Sequence, residues 1–392
     1  MENTNVNKDP PAFAALLNDT SSADSISNMS FVIVQFISQQ AYDNFFFVTM
    51  ILNEGICMIG VITNIINIIV FVKLGLRETT SISMLSLAVS DLLATACGLW
   101  SNLLYLPQFP SFGLPLRTDE IFLVTGGTTR QFLARTSALI TTFITAERCL
   151  CVILPLKVKT LVTRTRTIVA MVTIFTITVG PSLMIYGNYR IGWYFYADVN
   201  RTLLGAPYVD GEVNNIVDRI IFSVFGTFIP QFSFVSTCVC TVYLVIHLRR
   251  AANFRKRHAS ATVSGTQTTM PQVRAGAHEV DRHDARGANS IPTSQTISKE
   301  DRVARTVIVV ATAFIVCFFP GSVAFLLYIA VPGFTLYGVY GQLFVLVFNV
   351  SYLTEPINCS INLLIYYLMG TNFRNQVKQM FGGVKKDSPE KV

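Results

Sequence analysis

The stretch Ile357-Asn358-Cys359-Ser360-Ile361-Asn362-Leu363-Leu364-Ile365-Tyr366, followed by Asn372-Phe373-Arg374, decides how this chain is read. It places two asparagines and a tyrosine inside an apolar segment. The polar chain resumes at Phe373-Arg374, seven residues past Tyr366. Polar side chains inside a membrane helix are costly and tend to mark function. The segment is therefore a candidate membrane span that also carries a site.

Working outward, six more apolar runs approach the roughly 20 residues that a bilayer-crossing helix needs. In chain order the seven cover 45–72, 81–105, 121–151, 167–186, 216–247, 303–330 and 340–369, the third carrying several polar residues. Composition agrees. Of 392 residues, 51% are hydrophobic and 14% charged, against about 25% charged in a soluble domain. The expected fold is an all-α membrane protein, a seven-transmembrane helix bundle with a short C-terminal interfacial helix. That last helix is read from Phe373, Val377 and Phe381, which recur at helical spacing with Lys378 among polar neighbours.

The net charge of +7 matters less than its distribution. Basic residues follow the odd-numbered runs: Lys73 and Arg77, then Lys157, Lys159, Arg164 and Arg166, then Arg249, Arg250, Arg255, Lys256 and Arg257, and finally the tail with Arg374, Lys378, Lys385 and Lys386. The positive-inside rule then puts the N-terminus outside the plasma membrane and the C-terminus in the cytosol. Clusters that flank membrane helices argue against a nucleic-acid partner; the partner of these helices is the lipid bilayer. The first residues lack a basic region ahead of an apolar core, so the first span is expected to serve as an uncleaved signal anchor.

Residues 1–44 read as an extracellular tail with glycosylation acceptors at Asn18 and Asn28. Residues 45–370 form the membrane domain, with a third acceptor, Asn200, in the second outer loop, and 371–392 the interfacial helix and cytoplasmic tail. Residues 248–302 are rich in Ser, Thr, Ala, Gly and Arg and read as a disordered third cytoplasmic loop, either a passive linker or a phosphorylation target. All eight cysteines lie within or at the edge of a span, so no outer disulfide is expected.

Six of the seven spans carry a polar or proline mark. These are Asn64, Asp91, Glu147-Arg148-Cys149, Pro230, Cys317-Phe318-Phe319-Pro320, and the Asn358, Asn362 and Tyr366 of the opening stretch. In this order and at these depths, with N-x-x-I-Y followed by F-R, the chain resembles the rhodopsin-like (class A) G-protein-coupled receptors from about 64 to 374. It looks closest to invertebrate peptide receptors and divergent chemosensory receptors. It departs from the family pattern at several places. Leu363 stands where Pro is usual, Glu147 and Cys149 where Asp and Tyr are, Phe318 where Trp is, and Cys238 at the position of a span-5 Tyr. Both partners of the family's outer disulfide are missing: Leu123 occupies one position and the loop 187–215 has no Cys, so that loop is expected to be less constrained.

The resemblance implies roles residue by residue. Asp91, Ser137, Asn358 and Asn362 would offer oxygens to a sodium ion that favours the inactive state; the alternative is a hydrated polar network. No other cofactor is implied. Arg148 would pair with Glu147 beside it or with Glu300 at the foot of span 6, and breaking the Glu300 pair would let span 6 swing out. Phe314, Phe318 and Pro320 on span 6, with Asn362 and Tyr366 on span 7, would complete the switch. Arg130 falls where amine receptors carry Asp, which disfavours a biogenic amine. It would meet a ligand carboxylate or the polar end of a peptide, or else pair internally with Glu355. Asp218 and Arg219 would line the rim, and Arg135 has no evident role.

The function expected is a plasma-membrane receptor for an extracellular ligand, a peptide being favoured. It would activate a heterotrimeric G protein by outward movement of the sixth helix, with arrestin and kinases as further partners. The alternatives are a non-coupling decoy of the same fold and, further off, a transporter, which the lack of internal repeats disfavours. No catalytic triad or His/Cys metal cluster is present in the sequence, so enzyme activity is not expected.

Overall fold

The computed structural model describes residues 38–106, 112–154, 157, 160, 162–209, 211–265, 294–335 and 338–381. Its helices follow the apolar runs, all but the seventh extending beyond them. They are α1 (Gln39–Leu74), α2 (Thr79–Tyr105), α3 (Thr118–Ile153), α4 (Arg164–Tyr186), α5 (Glu212–Ile221, continued by Phe222–Phe228 and Ile229–Gly265), α6 (Ser294–Ala330), α7 (Gly341–Met369) and the short α8 (Thr371–Phe381). The first seven are long and apolar enough to cross a membrane.

Each helix starts and stops for local reasons. Ser38 caps α1, its Oγ accepting from the Ala41 amide at 3.3 Å. Gly75, at φ 85°, ends α1 in a backbone conformation that suits glycine. Pro320 lies inside α6 and Pro356 inside α7. Two wider π turns, Leu123–Gly127 in α3 and Phe222–Phe228 in α5, interrupt the regular ladder.

The helices pack in a ring closed by α7 against α1, with α3 inside it touching α2, α4, α5 and α6. That central position explains the weak hydropathy of the third run. Its polar residues, among them Thr128, Arg130, Arg135, Ser137, Thr141 and Thr145, are buried against other helices and do not face lipid. Apolar residues such as Ile59, Ile62, Val169, Val172 and Val239 are instead exposed on the outside, where a hydrocarbon solvent would meet them. α1, α2 and α7 approach closely at Gly60, where an added Cβ would lie 2.6 Å from Thr95 Cγ2 and 2.7 Å from Ser360 Oγ.

Two expectations change. The third cytoplasmic loop was expected to begin at 248, yet α5 runs to Gly265 and α6 begins at Ser294. Residues 248–262 include several Ala, Arg and Lys, good helix formers, and extending an existing helix avoids the cost of nucleation. Residues 266–293 lie outside the described residues, as do Asn18 and Asn28. In α8, Phe373 packs on Phe71 and Tyr366, and Phe381 is exposed on the outside of the bundle.

The loop between α4 and α5 is also held more firmly than expected. It forms an antiparallel hairpin, β1 (Gly192–Tyr196) and β2 (Arg201–Gly205). Asn200 sits at the exposed turn with φ 49°, a conformation asparagine tolerates. The segment before α3 pairs with β2: the Arg117 amide donates to the Leu204 carbonyl at 2.9 Å, and the Leu204 amide to the Pro115 carbonyl at 2.7 Å.

Candidate functional site

Four polar clusters lie along the bundle axis, and α3 contributes to each. At the hairpin end, the Glu120 carboxylate accepts from the Tyr196 hydroxyl at 2.6 Å and from the Ala206 amide at 2.8 Å. Arg117 bonds Asp198 at 2.7 Å and Asp119 at 2.9 Å, and its guanidinium lies 4.9 Å from the Tyr196 ring centre. Burial and the bond to Glu120 raise the Tyr196 phenol above its ordinary value. The hydrogen bond from Arg117 holds the Asp198 carboxyl below its ordinary value. None of the eight cysteines forms a disulfide, and this polar clamp joins the loop to α3.

Deeper in the bundle are two arginines and one glutamate. Arg130 is 3% exposed and Arg135 7%. Arg135 Nη1 lies 3.0 Å from Glu355 Oε1, while Arg130 Nη2 is 3.8 Å from Glu355 Oε2. The sequence left Glu355 as a partner for Arg130. The structure gives it a closer one in Arg135, the residue that had no assigned role.

Each guanidinium also finishes a backbone carbonyl that a proline leaves open. Pro356 has no N–H to return to the Tyr352 carbonyl four residues earlier, and Arg130 Nη2 donates to that oxygen at 2.9 Å. In α5 the Ile229 amide bonds Val224, one residue further back than in an α-helix. The next carbonyl in that pattern, Phe225, would need the missing N–H of Pro230, and Arg135 Nε donates to it at 3.2 Å. Pro230 and Pro356 were the signals in sequence that could have located these contacts. Arg130 also stacks on the Tyr352 ring, 3.5 Å from its centre. Its Nη1 has no hydrogen-bond partner among the described residues.

One level further toward α8, Asp91 is fully buried. Ser137 Oγ donates to its Oδ1 at 2.6 Å and Asn362 Nδ2 to its Oδ2 at 2.8 Å. Asn64 ties α1 to α7 through the Cys359 carbonyl at 2.9 Å. Of the four residues grouped from the sequence, Ser137 and Asn362 both bond Asp91. Asn358 is buried one turn away on α7, with no bond to that carboxylate described.

At the α8 end, Glu147 Oε1 accepts from Arg148 Nη2 at 2.6 Å and from Thr79 Oγ1 at 2.7 Å, and Arg148 Nη2 reaches Thr80 Oγ1 at 2.6 Å. The arginine is thus tethered to the start of α2, a contact the sequence did not suggest. The side chains of Glu300 and Asp218 lie outside the described residues. Arg219 is exposed near the hairpin end of α5. Phe314 and Phe318 stack at 4.2 Å in a buried cluster with Ala138 and Cys317. Tyr366 packs edge-on against Phe71 and Phe373.

A helix bundle with this axial series of polar clusters is the architecture of a seven-helix receptor. The description "7 transmembrane receptor (rhodopsin family)" matches residues 63–366, and the chain belongs to that family. It is a multi-pass membrane receptor and not an enzyme. Among similar proteins are the alpha-1A adrenergic receptors of Bos taurus and Homo sapiens, each 24% identical over 279 residues, or 68% of this chain and 54% of the relative. The chain therefore spans about half the length of the curated relatives it matches.

Proposed function

We propose that the chain is a plasma-membrane receptor, N-terminus outside, that activates a heterotrimeric G protein by outward movement of α6. The observation that carries this reading is the Arg148 guanidinium, held against Glu147 and Thr80 at the α8 end of α3. An arginine with alternative acceptors is a two-state element of the kind a distant ligand can bias. Basal G-protein activation tests it with wild type, Glu300→Ala and Arg148→Ala at matched surface levels. A raised signal in Glu300→Ala and its loss in Arg148→Ala are expected. Silence in all three across the G-protein subtypes would favour a non-coupling decoy.

The ligand we propose is not a biogenic amine, and a peptide is favoured. The relatives are adrenergic receptors, but the ligand implied by that name is not carried over. Two guanidiniums share one carboxylate here, so the buried cluster is net positive and repels an ammonium group. Glycosylation at the exposed Asn200, and recognition by arrestin and kinases, belong to the same proposal.

Sodium at Asp91 is proposed as well. The carboxylate is fully buried with no cationic side chain paired to it among the described residues, an arrangement that favours a bound cation or a proton. Oxygens of Asp91, Ser137, Asn358 and Asn362 would hold the ion, and it would supply the missing positive charge.

A further inference from the structure

A groove of about 550 Å³ opens on the outside of the bundle where α1, α7 and α8 meet. Ile59 and Ile66 form its α1 wall, Leu364 and Tyr367 its α7 wall, and Val377 and Phe381 close it at α8. Ile59, Leu364 and Phe381 are exposed there. Two hydroxyls in the lining spend their protons on the helices themselves. Thr63 Oγ1 donates to the Gly60 carbonyl at 3.1 Å, and Ser360 Oγ to the Pro356 carbonyl at 2.6 Å. What the groove offers along its length is apolar surface, which suits hydrocarbon.

The α8 end of the groove is charged. Arg374, Val377, Lys378 and Phe381 fall at i, i+3, i+4 and i+7 of α8, so two cations share a helix face with two groove residues. Thr371–Phe381 contains no Asp or Glu. Neither Arg374 nor Lys378 pairs with a carboxylate among the described residues. Lys73 follows Ile59 and Ile66 at the same heptad spacing, in the last turn of α1. Phe373 packs on Tyr366 and Phe71 and so fixes α8, with its cations, at the mouth of the groove.

From this juxtaposition we infer that the groove binds an anionic phospholipid, with an acyl chain between α1 and α7 and the phosphate-bearing headgroup on Arg374 and Lys378. The guanidinium fork and the ammonium both suit phosphate. Basic residues beside a membrane helix are drawn to an anionic leaflet. A sterol would fill the apolar part and leave both cations unanswered, and a zwitterionic phospholipid brings its own cation to the pair. The inference goes beyond the receptor reading and needs only the membrane bundle, with neither the ligand nor the G protein involved.

The test uses the full-length receptor in bilayers of phosphatidylserine and phosphatidylcholine in equal amounts, with cholesterol. The receptor is extracted in mild detergent, and the lipids retained on it are identified by native mass spectrometry. An excess of phosphatidylserine over phosphatidylcholine is expected. Arg374→Gln and Lys378→Gln should each cut that excess about fivefold. Arg164→Gln, which removes an exposed cation at the start of α4, should leave it unchanged. Ile59→Trp fills the groove with every charge in place; it should lower the retained phosphatidylserine too, and serves if the α8 variants do not fold. Equal retention of the two phospholipids, an excess that survives the α8 variants or the filled groove, or one that falls as far in Arg164→Gln would overturn the inference. Cholesterol retained in place of phospholipid, or a lipid-free dimer, would overturn it by assigning the groove to a sterol or to a second copy of the chain. Because no coupling step is read, the result stands even if the G-protein reading fails.

Discussion

Arg130 donates from Nη2 to the Tyr352 carbonyl at 2.9 Å, the oxygen that Pro356 cannot serve. A break in the α7 ladder and a buried cation on α3 thus satisfy one another. Arg135 does the same at the Phe225 carbonyl ahead of Pro230. Two helix irregularities position two arginines, and the remaining charge balance depends on Glu355.

That balance predicts an order of destabilisation. Glu355→Gln leaves two buried guanidiniums without a carboxylate and should cost the most, about 3–5 kcal/mol. Arg135→Gln keeps a possible Arg130–Glu355 pair and should cost less. Arg130→Gln removes the surplus cation, keeps the 3.0 Å pair and should cost least. Thermal unfolding midpoints of the three variants check this; the reverse order would mean that Arg130 is the principal partner.

Pro356→Ala returns an N–H that can compete for the Tyr352 carbonyl. Arg130→Gln should therefore cost less in the Pro356→Ala background than in wild type, with a coupling of about 0.5–3 kcal/mol. A double-mutant cycle measures it, and additive effects would show that proline and arginine act independently.

The clamp between hairpin and α3 should be insensitive to pH across the neutral range. Asp198 is held below its ordinary value by the Arg117 hydrogen bond. Its contribution is present above the ordinary aspartate pKa and fades as pH falls through the depressed one. Tyr196 is raised by burial and by its bond to Glu120. Its contribution is present below the ordinary phenol value and fades as pH rises through the higher one. Hydrogen exchange in the hairpin, corrected for intrinsic rates, should be flat from about pH 5 to 9. Tyr196→Phe should speed it at every pH in that window, by loss of a charge-assisted bond worth about 1.5–3 kcal/mol.

If sodium occupies the Asp91 cluster, replacing sodium with choline should lower the unfolding midpoint of the wild type and leave Asp91→Asn unchanged. Equal responses in the two proteins would assign the cluster to a polar network without ion binding.

Gly60→Ala tests the close contact of α1, α2 and α7. The added methyl meets Thr95 at 2.6 Å and Ser360 at 2.7 Å, so a shift is forced. A loss of about 1–3 kcal/mol is expected in an unfolding measurement; a neutral result would mean that the three helices can separate there.

The sequence located polar groups by depth along the helices more reliably than by direction. Asp91, Ser137 and Asn362 share a level because the helical rise of about 1.5 Å per residue can be counted from Arg148 and Phe373. The pairing of Glu355 could not be counted that way. Both arginines lie on α3, five residues apart, and which one reaches the carboxylate depends on helix rotation and on neighbouring backbone acceptors. The loop anchoring was also hidden, because Glu120 and Tyr196 are separated by 76 residues and meet only when β2 pairs beside Pro115 and Arg117.

The sequence by itself determined seven apolar spans, their order, and the depth of each polar mark, because span length and helical rise are local properties. Only the tertiary structure decided that Arg135 reaches Glu355, that Arg148 is tethered to Thr80, and that a polar clamp holds the hairpin to α3. Those contacts depend on azimuth, on the π turns that reset it, and on carbonyls that proline leaves without a donor. None of these is fixed until the helices pack against one another.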